Sequence, residues 1–244
     1  MIFFCIQFVS YRIDSSPQRH GQGYHNLLGD HTRALGAKFD IMDPDPERNP
    51  FAKTEIIDSP LTYKGRKEAV LQRPVASALN PELVVVSPLH RAVQTALLSF
   101  ADHYQNGIPF IAHEGCREQL GVLTCNKAHP ISQTVADFPQ IDFSLITAGE
   151  EDSLFDHHQK EAPVDEANRA YDFLTEFLMK REESEVAVVC HSAWLFSVTN
   201  AVLDCGDDDS LISWFGTGEI RSLQISFHAQ DEVETETEGY RNKL

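Results

Sequence analysis

Short apolar runs alternate with stretches of helical periodicity along this chain. Leu83-Val84-Val85-Val86 and Glu185-Val186-Ala187-Val188-Val189-Cys190 are rich in β-branched residues and have the length of buried strands. Each run ends on a polar residue and passes into apolar positions three and four apart. After the first these are Leu89, Val93, Leu97 and Phe100, with Ser87 expected as N-cap and Pro88 as the first helical residue. After the second they are Trp194, Leu195, Val198 and Val202. Further strands are expected at Ile2–Val9, at Pro109–Ala112 and near Arg221–Phe227. Helices are expected over residues 26–35, over 62–79 with a disturbance at Pro74, and along Val164, Ala167, Tyr171, Leu174 and Leu178, which form an amphipathic stripe. The prolines between Asp43 and Pro50 mark a loop. Strands alternating with helices predict an α/β fold, a three-layer α/β/α sandwich around a mostly parallel sheet.

At 244 residues the chain fits one domain with one large core. That domain is expected over residues 1–228, with 115–163 as an insertion capping the site and 229–244 as an acidic tail. Twenty Lys and Arg against 37 Asp and Glu give a net charge of -17, which argues against nucleic acid and anionic membrane surfaces as partners. No stretch reads as a membrane span. Met1–Ser10 lacks a basic start and a small-residue cleavage site, so a cytoplasmic location is expected. Five cysteines without a Cys-x-x-Cys pair read as reduced thiols. None has an arginine six residues later, which excludes a cysteine phosphatase loop, and neither a Gly-x-Ser-x-Gly elbow nor a Walker lysine motif is present. His157-His158 reads as a solvated pair, and His25 either lines a pocket entrance or faces solvent.

The candidate chemistry lies in four segments. Arg19-His20-Gly21-Gln22 pairs an imidazole, a competent nucleophile when neutral, with a guanidinium whose fork of donors clamps phosphoryl oxygens. The glycine is expected to let the backbone approach a bound group. Arg91 falls in the first turn of a helix at the C-terminal end of a strand, where open α/β sheets bind ligands. His191 follows the second buried strand and stands at the positive end of the next helix. Glu118, in His113-Glu114-Gly115-Cys116-Arg117-Glu118-Gln119, is a candidate proton donor to a leaving alkoxide.

Taken in order, these segments resemble the histidine phosphatase, or phosphoglycerate mutase-like, superfamily. The correspondence includes Asn26, the helix start Leu61-Thr62-Tyr63-Lys64-Gly65, and the segment Ser87-Pro88-Leu89-His90-Arg91. Cys116–Val122 and Phe138–Leu145 are similar to a eukaryotic plant- and fungus-type branch of the superfamily. The resemblance implies that His20 is transiently phosphorylated and that Arg19, Arg91 and His191 hold the phosphoryl oxygens. It implies a phosphate contact for Asn26 and acid–base work for Glu118. It implies no metal and no cofactor, and as partner a small phosphorylated metabolite; oligomeric state is left open. In the family the first strand runs directly into Arg-His-Gly. Here the polar Ser10–Gln18, with Pro17, intervenes, so either Ile2–Val9 is the strand followed by an extra loop or the segment before Arg19 pairs poorly. A phosphomonoester hydrolase is the leading functional expectation. A mutase is the second, weakened because no Arg-His-Tyr-Gly follows Glu118, and an impaired phospho-ligand-binding protein is the third.

Overall fold

The structure, a computed structural model, describes residues 11–206 and 208–227. Among these, β1 (Tyr11–Arg19), β2 (Leu83–Val86), β3 (Phe110–Ala112), β4 (Glu185–Cys190) and β5 (Leu223–Phe227) form one sheet in the order β3-β2-β4-β1-β5. The pairs β1–β4, β4–β2 and β2–β3 are parallel, and β5 is antiparallel to β1. The helices are α1 (Tyr24–Ala34), α2 (Tyr63–Leu71), α3 (Arg73–Ser77), α4 (His90–Ser99), α5 (Ala101–Gln105), α6 (Ile131–Asp137), α7 (Pro163–Asp172), α8 (Ser192–Ser197) and α9 (Asp209–Ile212).

The strands obey the two-residue period of a pleated sheet. Leu83, Val85, Val186 and Val188 face one layer, packing with Phe173, Leu174, Trp194 and Leu195 from α7, α8 and the turn that continues α7. Val84, Val86, Ala187 and Val189 face the other, packing with Ala92, Val93 and Ala96 of α4 and with Phe100. The mostly parallel α/β/α sandwich is therefore present.

The first strand corrects the expectation. Ile2–Val9 lies outside the described residues, and the strand that enters Arg19 is the polar segment Tyr11–Arg19 itself, paired on both sides. Its even-numbered residues donate toward β4, as Asp14 N–H to Ser184 O (2.8 Å) and His20 N–H to Cys190 O (3.0 Å). Pro17, an odd position, turns its missing N–H toward β5, whose ladder with β1 reaches only Leu223 opposite Ser15. The proline therefore costs no ladder bond, and its carbonyl accepts the Arg221 N–H at 3.1 Å. Ile13 is the strand's one core aliphatic residue. Gln18 is fully buried; its Nε2 donates to Ser99 Oγ (3.0 Å) and Gly218 O (2.9 Å), and its Oε1 is without a partner.

Three helix boundaries also differ. The segment after β2 becomes helical at His90, with Leu89 as N-cap, because Asp58 Oδ1 takes the His90 N–H (2.8 Å) and Ser87 turns to His191. Arg91 remains in the first turn. The helix expected over 62–79 is broken into α2 and α3 at Gln72, with Thr62 capping the first through the Gly65 N–H (3.1 Å). In α7 Val164 is exposed and the buried positions are Glu166 and Ala170, while Leu174 and Leu178, in the turns that continue the helix, are buried as the predicted stripe requires. The segment 229–244 lies outside the described residues.

Candidate active site

The site forms at the carboxyl ends of β1, β4 and β2, the edge where parallel sheets present ligands. Arg19 is in register with Cys190, so the next residues, His20 and His191, emerge side by side with ring centroids 5.0 Å apart. Ser87 leaves the tip of β2 and pairs its Oγ with His191 Nε2 at 2.7 Å.

His20 is almost completely buried. Its Nδ1 lies 2.6 Å from the Gly21 carbonyl, an acceptor only, so Nδ1 carries the proton and Nε2 a free lone pair. Arg91 Nε–H donates to that Nε2 at 3.3 Å. Burial, then the charge of Arg91, holds His20 well below the ordinary imidazole pKa, so the ring is neutral at pH 7. Burial and the same arginine do likewise for His191. Imidazoles in this state serve as nucleophile and hydrogen-bond partner rather than as cations.

Arg91 is fully buried and three of its nitrogens are committed: Nε to His20, NH1 to Cys125 O (2.6 Å), NH2 to Asn126 Oδ1 (2.9 Å). Asn126 Nδ2 in turn donates to Gln119 O (2.8 Å), beside Glu118. Arg117, unassigned in the sequence reading, makes a buried fork to Asp152 (2.7 Å for each bond) and donates from NH2 to Asn126 O (2.8 Å). The 115–163 segment is thus tied to Arg91 by a buried polar network in which Arg117 Nε, alone among the nitrogens of the Arg91 and Arg117 guanidinium groups, is buried without a partner.

The Glu118 carboxylate sits on the first turn of α8. Oε1 accepts the N–H groups of Ala193 (3.1 Å) and Trp194 (3.2 Å), and His191 is the N-cap of the same helix. One short helix therefore orients the candidate proton donor and the second histidine together. Arg19 donates from NH1 to Phe215 O (2.6 Å), leaving a buried Nε without a partner. Asn26 Oδ1 accepts the Gly23 N–H (2.9 Å), so it closes the start of α1 while facing the cavity.

That cavity, of about 380 Å³, is lined by Arg19, His25, Asn26, Lys64, Glu118 and Lys160, with Ile41, Phe51 and Leu123 as an apolar wall. His20, Arg91 and His191 lie beneath it, buried. His25 proves to be a wall residue, its ring centroid 5.6 Å from that of His20. Cys125 also lines the cavity, but burial pushes its thiol up to about 11, which removes it as a nucleophile. Gly21 has a packing role beside the one expected of it. A Cβ there would overlap the carbonyl of Gly65, and one on Gly65 would overlap that of Gln22. The glycine pair lets α2 abut the nucleophile's loop. The pairing of Ser87 with His191 and of Asn126 with Arg91 has no signal in the sequence, because the partners lie in distant segments. His157-His158 is exposed, as expected.

The chain belongs to the histidine phosphatase superfamily (branch 1), whose family model matches residues 53–230. The matched span holds Arg91, Glu118 and His191, while Arg19, His20 and Asn26 precede it. "Phosphoglycerate mutase-like protein 1" of Arabidopsis thaliana is 30% identical over 235 residues, covering 85% of this chain and 79% of that one. Among solved structures, the ecdysone phosphate phosphatase of Bombix mori in complex with tungstate superposes with a TM-score of 0.56 at 14% identity, covering 93% of this chain and 97% of that one. A mycobacterial glucosyl-3-phosphoglycerate phosphatase complexed with VO3 has a TM-score of 0.51 at 21% identity, covering 90% and 99%. At these identities the two structures share the fold.

Proposed function

We propose that the protein is a metal-independent phosphomonoester hydrolase acting through phospho-His20 on a small phosphorylated metabolite. The observation that carries this reading is the state of His20: buried, neutral, with Nδ1–H on the Gly21 carbonyl and the Nε2 lone pair facing Arg91. An incoming phosphoryl group takes the place of the Arg91 Nε contact, and its oxygens gather the N–H groups of Arg91 and Arg19 as charge spreads over them. Asn26 sits on the cavity wall as a further phosphate contact. Nε2 attacks phosphorus, Glu118 protonates the departing alkoxide, and the same carboxylate then draws a proton from the water that hydrolyses phosphohistidine. His191, held by Ser87, offers its second ring nitrogen, which is buried without a partner. The presence of phosphatases complexed with tungstate and VO3 among proteins of this fold supports the reading.

The test is phosphate release from p-nitrophenyl phosphate and a panel of small phosphomonoesters, with chelator present, for the wild type and His20→Ala. Turnover that survives chelator and is lost in His20→Ala is expected, with a trapped phosphoenzyme that is acid-labile. Turnover retained in the variant overturns the proposal, as does interconversion of substrate isomers without net phosphate release.

A further inference from the structure

Behind Arg91, away from the cavity, a second cluster of chemistry-bearing side chains has no part in the reaction above. Asp58 follows the turn Thr54–Ile56, His90 is the first residue of α4, and His129 precedes α6. One ligand atom from each of the three lies within 4.8 Å of the others. We propose that Asp58, His90 and His129 form a binding site for a divalent transition metal, with zinc as the fitting ion, that fastens the segment holding Arg91.

The donor set is the first argument. Two imidazoles and a carboxylate suit zinc, and three protein ligands plus a water complete a tetrahedron. His90 Nε2 and Asp58 Oδ2 stand 3.7 Å apart, too far for a hydrogen bond. That spacing is close to the separation of about 3.3 Å between neighbouring ligands in a tetrahedron with bonds of about 2.0 Å. His129 is half-exposed and its loop position leaves its ring room to close the remaining distance.

Charge and orientation are the second. Asp58 is fully buried, and among the described residues the only basic group within ion-pairing distance is His90. A buried carboxylate so placed is stabilised by a cation. Its other oxygen, Oδ1, is already held by the His90 N–H at 2.8 Å, and the His129 N–H approaches Oδ2 at 3.3 Å, so backbone donors aim the carboxylate as metal-bound carboxylates are aimed.

Position gives the site its consequence. His90 precedes Arg91, and His129 lies three residues beyond Asn126, which accepts from Arg91 NH2. Asp58 N–H donates to Thr124 O (3.4 Å), next to Cys125, whose carbonyl accepts from Arg91 NH1. A bound ion joins the three segments that fix the guanidinium without touching the cavity.

The test uses the full chain stripped of metal by chelator and dialysed, then titrated with Zn2+ by calorimetry and with Co2+ by visible absorption. One ion per chain is expected, with tetrahedral cobalt bands and no thiolate charge-transfer band. Zn2+ at a hundred times its dissociation constant should raise the thermal midpoint by about 5–10 °C. His129→Ala, whose side chain supports no helix cap, should fold and bind zinc at least about ten-fold more weakly. Asp58→Asn, which keeps an oxygen for the His90 N–H, should also lose it. The double variant His157→Ala/His158→Ala should bind as the wild type. No stoichiometric binding by the wild type overturns the proposal and leaves His90 and His129 as packed rings, 4.9 Å apart. Equal binding by His129→Ala overturns it too, as does loss of binding in the His157/His158 variant.

Discussion

Arg91 Nε–H points at His20 Nε2 from 3.3 Å, so under the proposed mechanism the arginine occupies the direction from which a phosphoryl group would reach the imidazole. At rest Arg91 is held by its own neighbours, while Arg19 Nε and His191 Nδ1 are buried without partners, so an incoming phosphoryl group is expected to displace the Arg91 Nε contact and to meet these free donors. Arg91→Ala should cost about 10²–10³ in kcat. Asn126→Ala removes the acceptor of Arg91 NH2 and the donor to Gln119 O, and should lower kcat/KM about ten-fold with the fold intact by circular dichroism. An Asn126→Ala enzyme with unaltered kinetics would show that the arginine is held without it.

The acid limb of kcat/KM reports the free enzyme. Burial and the neighbouring charge of Arg91 hold His20 and His191 well below the ordinary imidazole value of 6.5, so both remain neutral as pH falls through 6.5. The acid limb is expected well below pH 6.5, measured with a substrate whose own phosphate ionisation is corrected for. A limb at 6.5 would place the nucleophile in a solvated environment.

Glu166 is buried in α7 with Oε1 unpartnered, and burial, then the charge of Glu118, pushes its carboxyl up to about 8. The folded chain keeps a proton that the unfolded chain has released above 4.5, so this group's contribution is complete below 4.5 and is lost as pH rises to about 8. Glu166→Gln removes that dependence. Its thermal midpoint should exceed that of the wild type by several degrees at pH 8 and match it near pH 5. A constant difference across this range would refute the assignment.

Gly21 and Gly65 meet backbone to backbone. Replacing either with alanine forces α2 away from the nucleophile's loop, and a destabilisation of about 2–3 kcal/mol is expected from overpacking. Chemical denaturation reads the stability, and phosphate release at low temperature reads the site. Gly29→Ala, where the added carbon meets Phe51 at 3.4 Å, is the tolerant control.

His20, His191, Arg19, Arg91 and Glu118, the candidates that the structure brings to one edge of the sheet, were legible because the proposed chemistry demands those residue types and each stands beside a strand or turn signal. Val84–Val86 and Val186–Val189 announced two central strands through their β-branched runs. Tyr11–Arg19 gave no such signal, since this strand is held by two flanking backbone ladders and by buried side-chain bonds such as those of Gln18 Nε2.

What the order of residues determined by itself is the set of reacting groups and the alternation of strands and helices, because both are written in residue type and period. Which of those groups meet was decided only by the tertiary structure. The register of Arg19 with Cys190 sets His20 against His191; the approach of Gly21 to Gly65 seats α2; the Arg91–Asn126–Arg117–Asp152 chain fastens a segment that carries little periodicity of its own. Ser87 took its partner from that assembly as well. A hydrogen bond between distant segments leaves no trace in local pattern, because its geometry is fixed by packing of the whole sheet and its two helical layers.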